Sequence, residues 1–516
     1  MRLAFPRPVF AVVFAVLGLA LACGLLLFPT HAQQTPPATI VMCVNANVAP
    51  GGAGDGTSWP NAFASLDAAL AAAPDIPNGA ELWVAEGNYK PTNQTTGFLI
   101  TKHLRLYGGF VGDGTENSVE SRHGSFQRTF LNGDIGTVGF QYDNAYHVVS
   151  IDLVDGEGED PGVVIDGFRI ANGFFLGIGS FGAGIWCHCS DLDVANCYFD
   201  HNHGYDGGAI GFVSGCAEVP PPPAVEPGIT SILRVKSCEF FANLADQRGG
   251  AIFGERLRGW VQNTKFLTNR ATVFGGAVFE WRVKTAYSFD FANCVFWENF
   301  AEQTAISTGG AISFHEAGGG AGESARSNVV NCTFAGNYAS SCLPGQAVSV
   351  SPNSVVGIYN SILYYNHDIC GTFCNTSNSP PIAGFPLVEY SDVEYGWTTS
   401  GGQNIASPPL FTAGSPPPTS FDIGCAIPPS AVLPALTLKR AVGSTAGSKC
   451  IDHADYSRLP LDFGDLDQDG DFAEVIPVDL LEASRWVDRH GTGEDPNLGA
   501  PSGGIDYTDM GAYERP

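Results

Sequence analysis

Gly249-Gly250-Ala251-Ile252-Phe253 decides how this chain is read, because the sequence keeps returning to it. Gly207-Gly208-Ala209-Ile210, Gly275-Gly276-Ala277-Val278-Phe279 and Gly309-Gly310-Ala311-Ile312 repeat it, and Gly345-Gln346-Ala347-Val348 is a weaker copy. Before each copy an aromatic is followed three residues later by Asn. These pairs are Phe199/Asn202, Phe240/Asn243, Phe266/Asn269, Phe296/Asn299 and Phe334/Asn337, with Leu363/Asn366 as a late echo. From Phe199 to Leu363 the intervals are 41, 26, 30, 38 and 29 residues. Irregular periods of this size mark one supersecondary unit, repeated with insertions in its loops.

In Asn331-Cys332-Thr333-Phe334, Cys332 and Phe334 share one face of a strand, since side chains alternate. Asn337 then falls at a corner, where its amide can bond backbone or stack on the next Asn. The Gly-Gly pair supplies a tight bend with φ > 0 before the next short apolar strand. No helix-length apolar period separates the units, which excludes βαβ repeats. Short strands that cannot bury a face alone stack into a solenoid. The expected fold is all-β, a single-stranded right-handed parallel β-helix with a short N-terminal capping helix.

The paired GGA(I/V) and FxxN signatures resemble the repeats of chlamydial polymorphic outer-membrane proteins, and of bacterial right-handed parallel β-helix proteins generally. The resemblance covers roughly residues 196–366 and implies the fold, while saying almost nothing about chemistry. The C-terminal translocating barrel of the chlamydial proteins is missing from it. The phrase from Gly54-Asp55-Gly56-Thr57-Ser58-Trp59 to Glu86-Gly87-Asn88-Tyr89 resembles the entry segment of secreted bacterial β-helix proteins. At the other end, Cys450-Ile451-Asp452 with Asp509-Met510-Gly511-Ala512-Tyr513-Glu514 resembles the tail of secreted β-helix proteins grouped as choice-of-anchor. That tail implies surface or extracellular placement.

Outward from the repeats, residues 1–32 read as a secretory signal. Arg2 and Arg7 flank an apolar run from Val9 to Phe28, and Thr30-His31-Ala32 offers a small-x-small cleavage site. Uncleaved, the run is close to the ~20 residues that span a bilayer; cleaved, it leaves no span. Cys23 follows a poor lipobox, so lipidation is the lesser reading. Residues 33–80 read as linker and cap, with Phe63, Leu66 and Leu70 at helical spacing. Residues 81–445 form the expected β-helix, and 446–516 an acidic C-terminal segment.

The formal net charge of −27 argues against nucleic acid or anionic membrane as partner. Gly and Pro together make 98 of 516 residues, below the range that signals disorder, and 44% hydrophobic content suffices for a long core. Cys197, Cys238, Cys294 and Cys332 hold one position of successive units, where Thr264 replaces Cys once, and read as small buried hydrophobes. Cys370/Cys374, Cys425/Cys450 and Cys216 with Cys187 or Cys189 are the expected bridges of an exported protein. Cys187-His188-Cys189 has the makings of a metal clip, but alternation sets His188 opposite the thiols.

Two constellations carry possible chemistry. Asp465, Asp467, Asp469 and Asp471, with Gly470 at the bend, have the spacing of a calcium loop, and Ile476 stands where a bidentate Glu is usual. Four close carboxylates call for a cation, so a structural Ca2+ is expected there. A solvated acidic turn is the plainer reading. The second lies after the GGA motifs: Glu255 and Arg256; Glu280, Trp281 and Arg282; His315 and Glu316. On strands stacked ~4.8 Å apart these form a column. Its carboxylates would approach the separations of glycosidases, or its arginines serve a lyase. Alternatively it is a Glu/Arg ladder neutralising an exposed face. Trp260 and Trp281 are candidate sugar-stacking residues. The expected function is a secreted or cell-surface, non-catalytic protein that adheres or binds glycan, with an extracellular polysaccharide or cell-surface component as partner. The alternative is a polysaccharide lyase or glycoside hydrolase.

Overall fold

A computed structural model describes residues 40–76, 79–152, 154, 162–214, 231–282, 288–302, 307–316, 326–340, 344–368, 380–409, 450, 454, 458 and 459. Every strand pairing in it is parallel, and the strands form four stacked sheets of eleven, ten, seven and nine strands. We call them sheets I to IV in the order the chain visits them within one coil. The coil Leu233–Glu255 shows the pattern. Leu233–Lys236 lies in sheet I, Glu239–Phe241 in sheet II, Leu244–Arg248 in sheet III and Ile252–Glu255 in sheet IV. The chain then returns to sheet I at Gly259–Gln262. The parallel β-solenoid expected from the repeats is what the chain forms.

Each recurring residue type has a geometric cause. The corner from sheet I to sheet II is left-handed, with φ of 50–54° at Asn196, Asn263, Asn293, Asn331 and Asn360, a region Asn tolerates better than most residues. Inside, Phe199, Phe240, Phe266, Phe296 and Phe334 stack at 4.6–4.9 Å between centroids and within 7° of parallel. That is the strand spacing itself, so each ring sits on the next. At the following corner Asn202, Asn243, Asn269, Asn299, Asn337 and Asn366 form a buried ladder. The Nδ2 of each of the first five donates to the next Oδ1 at 2.9–3.0 Å, and every one, Asn366 included, donates to a backbone carbonyl of the preceding coil. Both roles foreseen for this Asn are filled at once.

The two glycines of the motif do different jobs. Gly249 adopts φ of 64°, which a side chain resists. Gly250 is in contact range of the next coil: a Cβ there would strike Gly276 O, and Arg270 N and O at 2.5 Å.

The N-terminal cap also forms. The helix Leu66–Ala72 buries Leu66, Ala69 and Leu70 in the same core cluster as the first strands. Sheet I starts before that helix, because Val41–Val44 pairs in parallel with Ala80–Ala85. Among the described residues no helix is long and apolar enough to cross a membrane.

Candidate functional site

The expected carboxylate column falls on sheet IV, where register decides which side chains meet. Glu255, Trp281 and His315 are in register with one another, and Phe253 is in register with Phe279 in a parallel row. Between these rows runs a third: Phe212, Gly254, Glu280 and Phe314. Phe212 and Phe314 belong to the solenoid core and Glu280 has no exposed surface, so its side chain is inside the coil. Glu316, 7% exposed, is in register with Arg282. Arg256 leaves the row altogether at φ of 58°. The three carboxylates therefore occupy three different rows and do not form one column.

What sheet IV does assemble outside the coil is a layer of rings around one guanidinium. Arg248 lies 4.9 Å from the Phe253 centroid, 5.2 Å from Phe279 and 4.6 Å from Trp281. A bidentate ion pair to Asp206 (Nε–Oδ1 2.9 Å, Nη2–Oδ2 2.7 Å) holds it there. Burial pushes the Asp206 carboxyl up, and Arg248 only partly offsets this. Phe181 stacks on Phe253 at 5.1 Å, while His315 is 5.7 Å from Trp281. Burial first, then the Arg248 charge, lowers the pKa of His315, which leaves it a neutral ring at neutral pH. Trp281 and Glu255 remain half-buried at the surface of this layer. Trp260 is half-buried on sheet I, in register with Arg234 and Asp290. The two indoles thus belong to different sheets.

A second locus carries no repeat signature. Successive coils and the 133–146 loop enclose a cleft of about 210 Å³ bordered by Asp134, Gln141, Asn144, Phe174, His201 and His203. Asn144 is 7% exposed; its Nδ2 donates to Asn172 O at 2.8 Å. His201 Nδ1 meets Asp200 Oδ2 at 3.0 Å, and Asp200 is clamped by Arg169 at 2.7 and 2.6 Å. His203 Nε2 meets Asp246 Oδ1 at 2.8 Å. Phe140 and Tyr142, exposed by 52% and 64%, flank Gln141, and the Tyr142 ring packs edge-on against Phe174 at 5.2 Å. The only sequence trace of this cleft is a local density of Asn, Gln, His and aromatic residues.

The cysteines sort by environment. Cys197, Cys238, Cys294 and Cys332 are free and buried in the core, as their repeat position implied. Burial raises the Cys238 and Cys294 thiols well above their ordinary range. Cys189 is disulfide-bonded and Cys187 is a free thiol inside the coil, which removes the metal-clip reading. Cys450 was expected to pair with Cys425 but is a buried thiol outside any disulfide, donating to Asp392 Oδ2 at 3.1 Å. Asp465, Asp467, Asp469 and Asp471 lie outside the described residues, as do Cys216, Cys370 and Cys374. No family model matches the chain, and no curated protein matches it.

Proposed function

We propose that this is a secreted or cell-surface β-solenoid that binds an extracellular glycan without cleaving it. The observation that carries the reading is the position of Glu280 inside the coil, in register with Phe314. A glycosidase needs two carboxyls facing one substrate across a set gap, and Glu255, Glu280 and Glu316 do not face one surface. A long stacked surface bearing half-buried indoles suits a polymeric ligand, because rings offer large contact area at low entropy cost. Surface placement is supported by the signal-like N-terminus, the acidic charge, and the resemblance of repeats and tail to secreted bacterial β-helix proteins. The reading includes a structural calcium ion at Asp465, Asp467, Asp469 and Asp471, supported by their spacing.

The test is retention of the purified chain on immobilised polysaccharides, with Trp281→Ala and Trp260→Ala beside the parent. Retention that falls in either variant supports glycan binding. No retention on any polysaccharide of a broad panel would remove it.

A further inference from the structure

We propose that the cleft between Asp134, Asn144, His201 and His203 is a binding site for one uncharged or amino sugar unit. This rests on the glycan-binding reading and narrows it to a place and a ligand class. Asn144 is more than nine-tenths buried and lines the cleft, yet its Oδ1 has no hydrogen-bond partner among the described residues. Asp134 Oδ1, on the same 133–146 loop, is likewise buried without a partner, while the Asp134 residue as a whole is half-buried. A buried acceptor without a donor is costly, so two of them at one cleft mark a place where donors arrive from outside.

The rest of the lining fits the same donors. With Nδ1 engaged by Asp200, His201 leaves Nε2 as the ring nitrogen able to serve the cleft, an acceptor in the tautomer that donates from Nδ1. Gln141, exposed at the rim, offers both a donor and an acceptor. Its sequence neighbours Phe140 and Tyr142 pack on each other at 5.5 Å beside the cleft and keep open ring surface, suited to the apolar face of a pyranose. At about 210 Å³ the cleft is smaller than the ~300–1,000 Å³ of drug-sized sites. It therefore holds a single ring and leaves the remainder of a chain on the surface. Its polar wall is rich in acceptors, and Asp134 is an acid facing a ligand in a protein of net charge −27. A uronate would be repelled there, whereas hydroxyl and ammonium groups would be drawn in.

The experiment is titration of the full chain, by calorimetry or ligand-observed NMR, with the methyl glycosides of glucose, galactose, N-acetylglucosamine, glucosamine and galacturonic acid. Binding of at least one uncharged or amino glycoside is expected, near ~1 mM as befits a single ring. It should weaken at least tenfold in both Asp134→Ala and Gln141→Ala and be unchanged in Phe385→Ala, a remote substitution at an exposed residue. Gln141 is exposed, so its variant keeps the test valid if Asp134→Ala fails to fold. Binding that survives both cleft variants but is lost in Trp281→Ala would overturn this site and leave the glycan reading standing. Galacturonate binding as tightly as the best uncharged or amino sugar would overturn the ligand class. No glycoside binding at all would overturn the inference, and retention on polysaccharide then shows whether the broader reading falls with it.

Discussion

Asn269 shows how much one residue type carries. Its Nδ2 donates to Phe240 O at 2.9 Å and to Asn299 Oδ1 at 3.0 Å, while its Oδ1 accepts from Asn243 N and Nδ2. Asn269→Ala orphans groups on both neighbouring coils. The expected loss is about 2–4 kcal/mol, given ~1–3 per buried unsatisfied group and some relaxation. Asn269→Asp should be worse at neutral pH, because a carboxylate cannot donate to Phe240 O or Asn299 Oδ1. It should recover partly on acidification, as a protonated carboxyl donates once. Chemical denaturation of the three proteins at pH 7 and pH 4.5 checks the order. Equal stability of Asp and Asn variants at pH 7 would contradict the ladder.

Glu394 gives the pH dependence its sign. Burial pushes its carboxyl up to about 7, against backbone N–H groups of Tyr365 and Asn366 and the Tyr395 side chain, which pull it down. Asp392, Tyr364 and Tyr365 are its titratable neighbours. Its folded pKa lies above the unfolded one, so its contribution to stability is full at acid pH and is lost as pH rises to about 7. Melting temperature should therefore fall across that window, and Glu394→Gln should flatten the fall. An unchanged profile in the variant would assign the dependence elsewhere.

At the scale of the element, the bend before sheet IV sets the fold's tolerance. Gly250→Ala would drive a methyl into the backbone of the next coil, with Arg270 N and O at 2.5 Å. Gly254→Ala meets the buried Leu257 side chain first, so that a core side chain rather than backbone must shift. The first change should abolish soluble folding or cost more than the usual ~1–3 kcal/mol of overpacking; the second should stay within that range. Expression and melting of the two variants decide, and equal tolerance would contradict the close coil-to-coil contact assigned to Gly250.

The same bend explains what could be read in advance and what could not. The Phe stack and the Asn ladder were legible because their positions recur at fixed offsets within each unit. The outward or inward phase of sheet IV was not. Ala251 and Ile252 both face the core, as do Ala277 with Val278 and Ala311 with Ile312. Two consecutive inward residues at a corner break strict alternation, so counting from the glycines misplaces Glu280. The cleft was illegible for another reason. Asp134 and Asn144 share one loop, and only coil stacking brings it against His201 and His203.

For the molecule as a whole, calcium and catalysis remain to be measured. If the Asp465–Asp471 loop is filled, a chelator should lower the melting temperature and millimolar calcium restore it, since a ligand of the folded state stabilises it by mass action. Identical melting with and without chelator would dispose of the ion. The free core thiols, by contrast, ask nothing of the environment: buried, with those of Cys238 and Cys294 raised in pKa, they pack as small apolar groups.

The central claim is that this solenoid binds sugar polymers and does not cut them. It is tested most directly by incubating the purified chain, with and without calcium, with a panel of polysaccharides and assaying new reducing ends and unsaturated products. The expected result is retention on at least one polysaccharide with no product from any, and a Glu280→Gln variant that differs in stability alone. A polysaccharide whose cleavage is abolished by Glu280→Gln, in a variant that still folds, would contradict it.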